Sequence, residues 1–239
     1  MIGSPRVHHR ATDSTNERAK QLALAGAPHG ALVTADEQTA GRGRQGRAWV
    51  AAPGSALLMS LVLRDLGAAQ AHLPLAAALA VCDACERNVP ALRCAIKWPN
   101  DVWIEGRKLA GILIEGRPQD GWAVLGIGLN VSTPRDEFPE ELRDTATSLA
   151  AEAEKAGAGE RPQRSELLPN LLAALQERLA QTPAQIVSDW GKRDALRDSQ
   201  VRWQRGEGTA RGIDETGALI VDTSSGRVTL DAGEVHLLR

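Results

Sequence analysis

Two short apolar runs, ALVTADE (Ala31 to Glu37) and Leu57 to Leu63, stand on either side of a Gly/Arg-rich stretch, the second entered through Pro53-Gly54. Each has the length and character of a strand, so two strands joined by that stretch are expected. Upstream, a helical pattern ends near Gly26 and opens with Ser14-x-x-Glu17, the spacing of a capping box with Ser14 as the cap. Downstream, LPLAAALAVCDACERN is an apolar helical run, predicting a helix around Leu73 to Glu86. The pattern then returns to strands. RCAIKW ends at Pro99, VWI runs into a Glu105-Gly106 turn, and RKLAGILIEG and WAVLGIGLNV follow. Successive hairpins imply a mostly antiparallel sheet with helices packed on it, an α+β fold. Residues 150–164 read as a surface connection. Helical periodicity resumes from Ser165 to about Leu196, with Leu167, Leu171, Leu175 and Leu179 on one stripe. From about Asp198 short strands alternate with turns at Glu215-Thr216-Gly217 and Ser224-Ser225-Gly226. The expected division is therefore a large unit over 1–196 and a small C-terminal β-barrel over 197–239.

Composition narrows the class. The chain has 239 residues, 43% of them hydrophobic, and a formal net charge of −2, so no global attraction to nucleic acid or an anionic membrane is built in. The N-terminus, MIGSPRVHHR, lacks the apolar core of a signal peptide and no apolar run is long enough to span a bilayer, so a cytoplasmic location is expected. Cys82-x-x-Cys85 lies in the apolar helical run with no second pair to complete four zinc ligands, and is expected to be buried core. Only 5 of the 28 basic residues are lysine. Isolated arginines therefore carry little information here, and lysines inside motif-like strands carry more.

The linking stretch reads GRGRQGR (Gly41 to Arg47). It matches the dinucleotide pattern G-x-G-x-x-G, but that fingerprint needs a helix opening within the glycines, and here a second strand follows. The Walker pattern fails separately, because Arg47 and Ala48 stand in its Lys and Ser/Thr positions. What remains is a strand-to-strand loop with three arginines, suited to folding over an anionic ligand. A second constellation is KWPND (Lys97 to Asp101) with KLAGIL (Lys108 to Leu113). With Glu105-Gly106 as a two-residue turn, position 108 falls opposite 103, and Asp101 lies a diagonal step away on the same face. The plain reading is a salt bridge across a hairpin. Pro99, which restricts Trp98 and bends the chain where Asn100 and Asp101 are presented, and GIGLN (Gly126 to Asn130), glycines ending in an amide, favour a site.

DSTN, Gln38-x-Ala40-GRGRQGR-x-Trp49, KWPND, KLAGIL and GIGLNV, in that order, resemble the motifs of biotin protein ligases. The resemblance implies a catalytic domain like that of class II aminoacyl-tRNA synthetases followed by an SH3-like domain. It also implies ATP-dependent formation of biotinyl-5′-AMP with Mg2+, and transfer of biotin to a lysine of a biotin carboxyl carrier protein, of acetyl-CoA carboxylase or a related carboxylase. The family's DNA-binding N-terminal domain has no counterpart before residue 13, so ligation without repression is expected, and no nucleic-acid or membrane partner. By resemblance, Ser14, Thr15, Asn16, Gln38, Arg42, Gly43, Arg44 and Lys108 bind biotin. Arg44, Arg47, Trp49, Lys97, Asn100, Asp101, Gly111 and Asn130 are assigned to ATP, and Lys108, Arg44 and Arg47 to catalysis. No metal ligand is assigned. Lipoate–protein ligases would share the fold and the adenylation chemistry, and a non-catalytic nucleic-acid binder using the arginine loop is a further alternative.

Overall fold

The apolar run Ala56–Arg64 is buried along almost its whole length, which requires cover on both faces, and it becomes an interior strand, β3, of a seven-stranded sheet. The structure, a computed structural model, describes all residues except 118, 119, 160 and 239. The sheet runs β1-β2-β3-β7-β6-β5-β4. Its strands are β1 (Arg6–Thr12), β2 (Leu32–Gln38), β3, β4 (Ala95–Lys97), β5 (Asp101–Ile104), β6 (Arg107–Arg117) and β7 (Trp122–Asn130). Only the β1–β2 pairing is parallel. Strand β1 carries no apolar periodicity to announce it.

Alternation along the strands sorts the helices. Leu61 and Leu63 pack into the large core with α2 (Leu73–Asn88) and α4 (Arg164–Leu179), whereas Val62 joins Val33 and Val124 beneath α1 (Thr15–Leu24). The helical stretch expected up to Leu196 is two helices, because Thr182 and Gln185 form a capping box that starts α5 (Pro183–Gly191) after α4 ends. Part of the expected surface connection is also helical. Ser148 accepts a hydrogen bond from the Ala151 N–H and caps α3 (Leu149–Lys155). Cys82, Cys85 and Cys94 are free thiols buried where α2 meets the start of β4.

The C-terminal segment forms a five-stranded antiparallel sheet, β11-β10-β9-β8-β12, from β8 (Gln200–Trp203), β9 (Gly206–Ile213), β10 (Leu219–Thr223), β11 (Gly226–Leu230) and β12 (His236–Leu237). No ladder joins β11 to β12 among the described residues, so the sheet is not hydrogen-bonded shut into the expected barrel. Its inner residues Val201, Ala210, Leu219 and Val221 are continuous with the large core. Trp98 donates its indole N–H to Gly217 O at 3.0 Å, which fixes this sheet against the segment linking β4 to β5.

Candidate active site

Helix α1 covers β2, β3 and part of β7, and it begins at Thr15. The floor of the site is made by Gly111 on β6, paired across the ladder with Gly128 on β7, and by Gly126. The loop between β2 and β3 lies over this floor. It closes on itself through Gly43 N–H to Arg47 O at 2.7 Å and Trp49 N–H to Gly41 O at 2.9 Å. The loop lays the Trp49 indole on Gly128 so closely that a Cβ there would sit 2.5 Å from the ring. Any side chain at 128 would expel the tryptophan. The Trp49 indole N–H is buried without an acceptor among the described residues, a donor that a bound ligand could satisfy.

Two cavities meet here and share Gly43, Arg44, Trp49, Asn100 and Lys108. The first is a narrow slot walled by Thr15, Gln38, Ile112, Leu113 and Ile127. The second is a cation-lined cleft that adds Arg47, Lys97 and Asp101 and is bordered by Gly233, Glu234 and Val235 of the C-terminal sheet. Lys108 reaches their junction through a bulge. The hairpin starts with Ile104 opposite Arg107 and Trp103 opposite Lys108, then shifts so that Val102 faces Ala110 and Asp101 faces Gly111. Lys108 Nζ meets Asp101 Oδ1 at 2.7 Å. The strand is held from its other side by Lys108 N–H to Thr145 O at 2.7 Å and Thr147 N–H to Lys108 O at 2.9 Å. Asn100 donates its Nδ2 to Ile112 O at 2.7 Å, which turns its Oδ1 to accept from Arg44 Nη1 at 3.1 Å. Burial pushes the Lys97 ammonium below its ordinary pKa of 10.5, opposed by the Asp101 charge. The arrangement places two cations where an acidic group in the slot would meet an anion in the cleft.

Residues 9–132 match the Biotin/lipoate A/B protein ligase family, and residues 200–238 match the biotin protein ligase C-terminal domain. The chain belongs to this ligase family. A Bacillus subtilis protein described as bifunctional ligase/repressor BirA is 34% identical, over 99% of this chain and 75% of its own length. A Mycobacterium tuberculosis biotin–[acetyl-CoA-carboxylase] ligase is 37% identical, over 95% of this chain and 87% of its own. Among solved structures, the biotin protein ligase from Aquifex aeolicus in complex with biotin and ATP superposes with a TM-score of 0.84 at 29% identity, covering 99% of both chains.

Against the ligase motifs, the residues expected around biotin (Ser14, Thr15, Asn16, Gln38, Arg42, Gly43, Arg44 and Lys108) all line the slot. Of those expected around ATP, Arg44, Arg47, Trp49, Lys97, Asn100 and Asp101 line the cleft, and Gly111 lies in the slot floor. Asn130 lines neither. It is buried and donates to Thr147 O at 3.0 Å, which ties the end of β7 to the segment flanking Lys108. The expected capping box at Ser14 is not formed, because the Ser14 side chain makes no cap bond and the Glu17 carboxylate takes Lys20 and Arg42 instead. Arg47 pairs with Glu234 rather than turning into the slot. The contribution of Gly233 to Val235 was not legible from the sequence, which holds no motif there. Ser60 carries a signal in the sequence, as the only polar side chain within ALLMSLVL (residues 56–63).

Proposed function

We propose that this chain is an ATP-dependent biotin protein ligase that forms biotinyl-5′-AMP and transfers biotin to a specific lysine of a biotin carboxyl carrier protein, that of acetyl-CoA carboxylase or a related carboxylase. The observation that carries this reading is the junction of slot and cleft at Lys108 and Arg44. Biotin in the slot brings its carboxylate to that junction, and ATP in the cleft brings its α-phosphate. A carboxylate oxygen attacks the α-phosphorus and pyrophosphate leaves. Two anions repel until fixed cations offset their charge, which is the work assigned to Lys108 and Arg44. The loop carrying Trp49 excludes water from the resulting anhydride. The carrier's lysine amine then attacks the acyl carbon, and AMP leaves.

Magnesium accompanies nucleotide phosphates and needs only one or two protein carboxylates. Among the described residues no cluster of three metal-binding side chains exists, but Asp101 and Glu234 line the cleft, so the donor set fits an ion held mainly by phosphate, with Asp101 as its protein ligand. When bound, it would neutralise phosphate charge. No described helix is long and apolar enough to cross a membrane. The test is mass spectrometry of a carrier domain incubated with the protein, biotin and MgATP. One added biotinyl group that depends on ATP is expected; an unmodified carrier, or one accepting lipoate in preference, would sink the reading.

A further inference from the structure

Ser60 is fully buried in β3 and lines neither cavity. Its Oγ lies 2.8 Å from Thr15 Oγ1 and 2.6 Å from Asn16 Oδ1. Thr15 Oγ1 in turn lies 3.0 Å from Gln38 Oε1. The row therefore reads Gln38 oxygen, Thr15 hydroxyl, Ser60 hydroxyl, Asn16 oxygen. Its two ends are fixed as acceptors. The Thr15 backbone N–H donates to Gln38 at 2.7 Å, so the Gln38 oxygen must face it. Asn16 donates its Nδ2 to Glu115 Oε2 at 2.8 Å, and Glu115, paired with Lys20 at 2.5 Å, is an ionised carboxylate that only accepts. Gly126 makes this orientation feasible, since a Cβ there would fall 2.1 Å from Asn16 Oδ1.

Three contacts in this row are thus served by two hydroxyl hydrogens. If both hydroxyls point toward Gln38, Asn16 Oδ1 has no donor; if both point toward Asn16, Thr15 and Gln38 oppose lone pairs. A row one hydrogen short, with Ser60 buried within it and Gln38, Thr15 and Asn16 lining the slot, is completed by an N–H brought from the slot. We infer that Ser60 and Glu115 are positioning residues that hold the row in this state, so that the slot selects an occupant presenting an N–H donor. The inference rests on the biotin reading above and deepens it. A cyclic urea carries N–H groups on both nitrogens, whereas the dithiolane of lipoate carries none, so the row separates the two acids named in the family's description. An N–H directed between Thr15 Oγ1 and Gln38 Oε1 lets Thr15 turn its hydrogen to Ser60 and Ser60 turn its own to Asn16.

Two substitutions remove the demand in different ways. Ser60→Ala cuts the relay: Thr15 donates to Gln38, and Asn16 Oδ1, though left without its donor, can no longer be served by an N–H arriving at Thr15. Glu115→Gln offers an N–H to Asn16, which can then reverse and donate its own NH2 to Ser60, supplying the missing hydrogen while side-chain volume is kept. The experiment is calorimetric measurement of Kd for biotin and for its two analogues methylated on one ureido nitrogen, with wild type and both variants. The steric cost of a methyl group is common to all three proteins. In wild type one analogue should bind at least about tenfold more weakly than biotin, and that ratio should fall by about tenfold in both variants. An unchanged ratio in Glu115→Gln, which alters a partly exposed position and tests the row even if Ser60→Ala folds poorly, would overturn the inference. Failure of wild type to bind biotin would overturn the ligase reading itself, whereas biotin binding with constant ratios would overturn only the row.

Discussion

Lys108 sits 2.7 Å from Asp101 across the β5–β6 hairpin, so its position is set by the pairing of those strands. A cation already in place costs no reorganisation at the moment of reaction, which is the condition for electrostatic catalysis. Replacing Lys108 by Ala removes that charge from the junction where carboxylate and phosphate meet, and so opposes adenylation. A loss of roughly 3 kcal/mol, at least about a hundredfold in rate, is expected in pyrophosphate release. Near-normal release by the variant would reduce the pair to an ordinary ion pair across a hairpin. The pairing was legible because a two-residue turn fixes register by counting. The bulge that follows was not, since nothing in RKLAGIL distinguishes a strand with an extra residue from one without. Ser60 illustrates the opposite case: the signal was a hydroxyl in an apolar run, and only the neighbours brought by folding give it a meaning.

The loop Gly41 to Trp49 and the strands beneath it act as one unit. Fixing a flexible residue costs about 1–2 kcal/mol, so a loop with free backbone groups would be expensive to order on ligand binding alone. This loop closes part of that cost through its own hydrogen bonds and is tethered to the opposite side by Arg44 on Asn100. Arg44→Gly removes the tether and a cation while leaving Lys108 in place. Adenylate should still form but escape, and a free acyl-adenylate acylates exposed lysines indiscriminately. At matched adenylation rates, the variant should biotinylate an unrelated protein such as serum albumin more than wild type does. Equal bystander labelling would mean that the loop is not a lid over the anhydride. Elements with a strong period, α2 and the paired strands, were readable in advance, as was the strand-loop-strand context that excludes a dinucleotide fold. Helix α3 was not, because AAEAEKAGAGERPQR has the composition of a linker and its cap, Ser148, lies just outside it. The role of Asn130 could not be read either, since an amide at the end of a strand serves a ligand or a neighbouring carbonyl equally well.

At the scale of the whole molecule, the cleft is completed by a sheet that is distant in sequence, and Glu234 is one of 30 acidic residues with no pattern to single it out. What aligns the parts is bracing behind the site. The segment leading into β4, and so to Lys97, Asn100 and Asp101, is held to α2 by Glu86, which takes Arg193 at 2.6 and 2.9 Å and the Cys94 N–H at 2.8 Å. Arg178 extends the brace to α4 and α5 through Asp83 at 2.7 Å and Asp189 at 2.6 Å. Burial by itself would raise the Glu86 carboxyl pKa, but the Arg193 and Cys94 donors outweigh it and hold the pKa below the ordinary 4.5. An acid whose pKa is lowered on folding contributes stability that is fully present above its unfolded value and is lost as pH falls through its folded value. Glu86→Gln keeps the shape and removes the charge, so at pH 7 it should cost about 1–3 kcal/mol, the range for a hydrogen bond to a charged group. In a chain of this size that is roughly 2–12 °C in Tm. As pH falls below 4.5 and on through the lower folded value, wild-type Glu86 takes up a proton and loses the same charge, so the difference between the two proteins should shrink and finally close. Thermal melts of both proteins at pH 7 and at steps below 4.5 provide the measurement. A difference that stays constant with pH would show that the charge of Glu86 is not what Arg193 stabilises, and that the brace acts through packing alone.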